Sequence, residues 1–130
     1  MTSRQPLVSV VDDDASVRES LPDLLKDAGF AVRAFSSADE FLMSDVLELT
    51  DCLILDVAMP GMTGPDLQTE LIRRGHRFPI VFITARPDEA ARTRVLGNGA
   101  VGYLSKPFGD TALLDAINAA LGPSSGDPPT

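Results

Sequence analysis

Apolar residues along the chain follow two alternating patterns. Five short β-rich runs, Leu7–Val11, Ala31–Phe35, Leu53–Val57, Ile80–Thr84 and Val101–Leu104, are separated by five segments with helical spacing. The runs beginning at 7, 53 and 80 are nearly continuous apolar stretches. That pattern belongs to central strands covered on both faces of a parallel sheet, because a half-exposed strand would alternate. Strict (βα)5 alternation predicts an α/β fold: a doubly wound five-stranded parallel sheet with right-handed crossovers and helices on both faces.

The helical segments carry recognisable ends. The first places Val17, Leu21, Leu24, Leu25 and Ala28 on one stripe and stops at Gly29. Pro22 lies inside it and removes one hydrogen bond, so a kink or break is expected there. The second opens at Ser37, which forms a capping box with Glu40. The third has Pro65 at its first helical position. The fourth, Asp88 to Leu96, has a thin apolar stripe of Ala91, Val95 and Leu96, and is expected to be the most loosely held. The fifth runs from a cap at Asp110 through Leu113, Leu114, Ile117 and Leu121.

Composition narrows the picture. A length of 130 residues fits one domain with a sizeable core. The expected organisation is a single domain over 1–122 and a flexible tail or linker over 123–130, where "PSSGDPPT" has the composition of a linker. A formal net charge of -8 disfavours unaided nucleic-acid binding, and the basic cluster Arg73 to Arg77 reads as a helix C-terminus followed by a loop. The single cysteine, Cys52, forms no intramolecular disulfide and reads as a small core residue of a cytoplasmic protein. No apolar run approaches a membrane span.

The chemistry gathers at the strand ends. In open parallel sheets, ligand sites form beyond the carboxyl ends of the strands. There stand Asp12 and Asp13 after the first strand, Asp56 at the third, Thr84 at the fourth and Lys106 after the fifth. Alone, Asp12 and Asp13 are explained as well by helix capping and a solvated loop, and Thr84 by an ordinary strand position. Together they bring three carboxylates, a hydroxyl and an ammonium to one edge. The carboxylates repel, and a hard divalent cation such as magnesium is the natural relief. With the metal in place, one carboxylate can act as a nucleophile towards phosphorus.

The segments "VVDDD", "LILDVAMPGMTG", "FITA" and "GYLSKPF" resemble the signature segments of the bacterial two-component response-regulator receiver domain, in their usual order over about residues 6 to 122. "FSSADEFL" and "PGMTGPDLQ" further resemble the FixJ-type branch. The resemblance implies a flavodoxin-like receiver fold with strand order 2-1-3-4-5. It implies that Asp56 is the phosphoacceptor, receiving phosphate from a histidine kinase or phosphotransfer protein. Magnesium, which manganese can replace, would be held by Asp13, Asp56 and the backbone carbonyl of Ala58, with Asp12 acting through water. Asp14, one place beyond the acidic pair, reads as a helix cap. Lys106 would pair with the phosphate, the Lys106–Pro107 bond would be cis, and Thr84 and Tyr103 would move together as a switch. That switch would reshape the face made by helix four, strand five and helix five, where homodimerisation on activation is a family expectation. DNA binding would belong to a C-terminal output domain outside these residues.

Two rival readings give way on specific residues. A haloacid-dehalogenase-type phosphatase needs a second carboxylate two residues after the nucleophile, where this chain has Ala58. A nucleotide-binding module needs a phosphate-cradling loop after the first strand, where three aspartates stand instead. The alternative inside the family is a degenerate receiver acting as a phosphorylation-independent scaffold, and the presence of all five site residues argues against it. Gly61 and Gly64 read as turn residues. Ala58 and Arg86 flank the positions that tune phosphate lifetime in the family.

Overall fold

The computed structural model describes residues 5–122. Strands β1 (Leu7–Val11), β2 (Ala31–Phe35), β3 (Cys52–Asp56), β4 (Ile80–Thr84) and β5 (Gly102–Ser105) alternate with helices α1 (Ala15–Asp27), α2 (Ala38–Leu42), α3 (Gly64–Arg73), α4 (Glu89–Gly97) and α5 (Asp110–Leu121). The sheet is parallel throughout, in the order β2-β1-β3-β4-β5. Every residue of β1, β3 and β4 is buried, whereas β2 and β5 are partly exposed. The unbroken apolar runs thus occupy the interior of the sheet and the mixed ones its edges, as burial on two faces against one requires.

Alternate residues of each strand feed two cores. Leu7, Val11, Leu53, Leu55 and Phe82 pack with Phe41 of α2, Leu67 and Leu71 of α3 and Val95 of α4. Val8, Val10, Ile54, Val81 and Ile83 pack with Leu21 and Leu25 of α1 and Leu113 and Ile117 of α5. Each such side chain, fully buried, contributes about 1.5 to 3 kcal/mol. Ser9, buried among them, shares a hydrogen bond of 2.8 Å with Thr50, whose hydroxyl also donates to the Val46 carbonyl, so the polar pair is satisfied. Cys52 is fully buried, and burial pushes its thiol up to about 12, which suits an inert core residue.

Several boundaries differ from the sequence reading. β3 starts and ends one residue earlier, and β5 starts and ends one later, at Gly102, where a side chain would meet Val81 Cγ1 at 3.2 Å. A short 3-10 turn, Leu47–Leu49, precedes β3. α1 continues through Pro22 without a break: one lost bond is outweighed by the burial of Leu21 and Leu25 on either side. The α2 cap is only half a box, since Ser37 accepts from the Glu40 N–H while the Glu40 carboxylate reaches past it to the Ser36 N–H at 2.6 Å. A full box closes α3 instead, between Thr63 and Asp66, which places Pro65 one residue into the helix. α5 is capped by Gly109, and Asp110 is its first helical residue. α4 keeps Val95 alone fully buried. The expected tail at 123–130 lies outside the described residues.

Candidate functional site

Asp12 follows β1 directly, beside the central strand β3, and has no solvent exposure. Its backbone N–H donates to the Phe35 carbonyl of β2 at 3.1 Å, and its Oδ1 accepts from the Asp14 N–H at 2.9 Å. Asp13 is exposed, and Asp14 caps α1 by accepting from the Ser16 N–H and hydroxyl, which hold its carboxyl below the usual range. Asp56 ends β3, 4% exposed. Register pairs Val11 with Leu55, so the two neighbouring strands deliver Asp12 and Asp56 side by side. One carboxylate oxygen each of Asp12, Asp13 and Asp56 lies within 4.8 Å of the others.

Lys106 reaches this cluster from the far side. Its Nζ is 2.8 Å from Asp12 Oδ2 and 3.7 Å from Asp56 Oδ1. Asp12 Oδ2 has no aligned hydrogen-bond donor, so the shorter contact is an ion pair of close charges. Burial opposes the lysine's charge, but the close contact with Asp12 and the nearby Asp56 charge outweigh it and hold the ammonium above its usual range. One cation cannot compensate three carboxylates. Burial, together with the Asp12 charge, pushes Asp56 up to about 7 despite Lys106. Three carboxylate donors at this spacing suit a hard divalent cation that takes oxygen ligands.

The other expected residues stand around this centre. Thr84 ends β4, 1% exposed; its hydroxyl accepts from the Arg86 N–H at 3.0 Å, and its carbonyl accepts from the Lys106 N–H at 2.7 Å. Tyr103, in β5, is half-buried, and its hydroxyl accepts from the Asp88 N–H at 3.2 Å and donates to the Asp88 carbonyl at 3.4 Å. The hydroxyl of Thr84 therefore serves the loop before α4, and that of Tyr103 the α4 cap, rather than the carboxylates. Ala58 is exposed in the loop after β3, and the Lys106–Pro107 bond is cis.

Two residues of the site escaped the sequence reading. Gly64 is not a turn glycine: a Cβ there would fall 2.2 Å from the Asp56 carbonyl oxygen, so the start of α3 is pressed against the end of β3. Gly61, with φ 75°, does need the turn conformation. Arg18 Nη1 donates to the Asp12 carbonyl at 2.9 Å and steadies the strand end from α1. A cation near the start of a helix opposes the macrodipole, and that anomaly was its available signal.

Comparison with known proteins agrees with this geometry. The response regulator receiver domain family matches residues 8–118. Nodulation protein W of Bradyrhizobium diazoefficiens is 48% identical over 118 residues, covering 91% of this chain and 52% of its own. The solved structure of response regulator StyR is 48% identical with a TM-score of 0.84, covering 91% of this chain and 60% of that one. The crystal structure of FixJ-N is 33% identical with a TM-score of 0.81, covering 92% and 95%. The chain spans about half the length of the curated relatives it matches. With the sheet order, the acidic cluster and the lysine in their places, this chain belongs to the response regulator receiver domain family, in its FixJ-like branch.

Proposed function

We propose that the chain is a phosphorylation-activated signalling switch of a two-component system, accepting a phosphoryl group on Asp56 from a histidine kinase or phosphotransfer protein. The observation that carries the reading is the convergence of Asp12, Asp13 and Asp56 with Lys106 3.7 Å from the Asp56 carboxylate. In the transfer, an Asp56 oxygen attacks phosphorus, the phosphorus–nitrogen bond of the donor's phosphohistidine breaks, and the imidazole nitrogen keeps the electron pair. Asp13, Asp56 and the Ala58 carbonyl would hold magnesium, with Asp12 joined through water; bound there, the ion would offset the charge of the carboxylates and the phosphoryl oxygens. Lys106, already within reach of Asp56, pairs with a phosphoryl oxygen as the new charge draws it from Asp12.

The switch follows from what Thr84 and Tyr103 hold at rest. The Thr84 hydroxyl exchanges the Arg86 N–H for a phosphoryl oxygen, and Tyr103 leaves Asp88 for the space released. Both moves free the loop before α4, whose single fully buried side chain ties it only lightly to the core. The face of α4, β5 and α5 then changes, and a second copy or an output module reads it. The only chemistry is this self-catalysed transfer and slow hydrolysis of the aspartyl phosphate. The extra length of the relatives supports placing the chain as the receiver part of a longer regulator.

Tyr103 is the only tyrosine and the chain has no tryptophan, so its emission reports this site alone. Acetyl phosphate with magnesium is expected to change tyrosine emission in the wild type, not in Asp56→Asn, and markedly less in Thr84→Ala. An identical response in Thr84→Ala would contradict the coupling.

A further inference from the structure

A cavity of about 360 Å³ opens at the opposite edge of the sheet from the carboxylates, between the end of α3, the loop into β4 and the turn after α4. That volume lies within the range of small-molecule sites. Leu71, Phe78 and Ile80 supply an apolar wall, and the His76 ring lies 5.7 Å from the Phe78 ring, tilted by 36°. Gln68, Arg77 and Asn98 supply the polar groups.

The charge is one-sided. None of the lining residues is acidic, although the protein carries a net charge of -8. Nearby Arg73 and Arg74 are both engaged by Glu70, at 2.6 and 2.7 Å. Among the described residues Arg77 has no carboxylate partner, and Glu48 approaches only His76, at 3.9 Å. An exposed guanidinium beside a concave apolar wall is ready to pair a carboxylate at the mouth.

A second observation comes from the buried side. Gln68 is 1% exposed; its Nε2 donates to the Val95 carbonyl of α4 at 3.0 Å, while its Oε1 has no hydrogen-bond partner. Buried polar atoms are nearly always satisfied, so this orphaned acceptor marks the contact between α3 and α4, behind the cavity wall, as incompletely packed.

The geometry points to a binding site for a small organic carboxylate with a compact apolar body, its anion held by Arg77 and its body seated on Leu71, Phe78 and Ile80. A ligand there would touch both α3 and the turn after α4.

Sodium benzoate is the probe, titrated into the isotope-labelled chain at constant ionic strength and followed by two-dimensional amide NMR. Saturable shifts are expected at Gly75, His76 and Gly99 and at the Gln68 and Asn98 side-chain amides, half-complete at roughly millimolar concentration or below. Arg77→Gln, an exposed position, should weaken binding about tenfold. Arg74→Gln, outside the cavity, should leave it unchanged, and neutral benzyl alcohol should bind more weakly than benzoate. Shifts that do not saturate, that scatter over the surface, or that Arg74→Gln reduces as much as Arg77→Gln would overturn the site. So would equal binding of benzyl alcohol.

Discussion

Asp56 concentrates the electrostatic cost of the fold. Burial and the Asp12 charge raise its pKa from 3.8 to about 7. Between those values the folded protein holds a proton that the unfolded chain has released, so stability falls as pH rises from about 4 to about 7 and stays reduced above it. Asp56→Asn removes the penalty. At pH 8 in EDTA it should stabilise the fold by on the order of 1 kcal/mol or more, a gain of several degrees in thermal midpoint. The gain should shrink near pH 4 and on adding magnesium; a variant no more stable than wild type at pH 8 would contradict the assignment. Gly64 tests the neighbouring contact. Gly64→Ala drives a methyl into the Asp56 carbonyl oxygen, and urea unfolding should show a loss of about 2 kcal/mol or more. The aspartates, Thr84 and Lys106 were legible because a parallel sheet brings strand ends together. Gly64 was not, because a close approach between α3 and β3 leaves no mark that distinguishes it from an ordinary turn glycine.

The elements show where sequence patterns stop being informative. The central strands stood out through their unbroken apolar runs, but strands buried on both faces carry no alternation that would fix their register. The edge of β5 shifted by one residue because its start depends on how closely Gly102 approaches Val81, a contact between distant segments. Caps at Ser37, Asp88 and Asp14 are local, and single side-chain bonds to nearby N–H groups make them. The cap of α5 is not: Gly109 makes no side-chain bond, so composition favoured the wrong residue. Pro22 tests how packing outweighs propensity. It is half-buried within a continuous α1, and Pro22→Ala restores a donor to the helix. Stability should rise by about 1 kcal/mol, less than the ~3 kcal/mol propensity difference because ring packing is lost. Chemical denaturation checks it, and a destabilised variant would show that the ring packs more tightly than its exposure suggests.

For the whole molecule, the division of labour runs along the strand direction. The carboxyl edge gathers Asp12, Asp13, Asp56, Thr84 and Lys106, while the opposite edge carries the Arg77 cavity. Two cores, one on each face, hold these edges rigid relative to each other. Thr84 and Tyr103 lie on adjacent strands at the boundary with α4, so a change at the carboxylates has a short route to the α4–β5–α5 face. On the proposed function, Asp56 accepts a phosphoryl group with a divalent cation in attendance. Intact-protein mass after incubation with acetyl phosphate tests it most directly, for wild type and Asp56→Asn, each with magnesium and with EDTA. A gain of one phosphoryl group is expected in the wild type with magnesium and in no other sample. A wild-type chain that stays unmodified with magnesium, or an Asp56→Asn chain that gains the same mass, would contradict it.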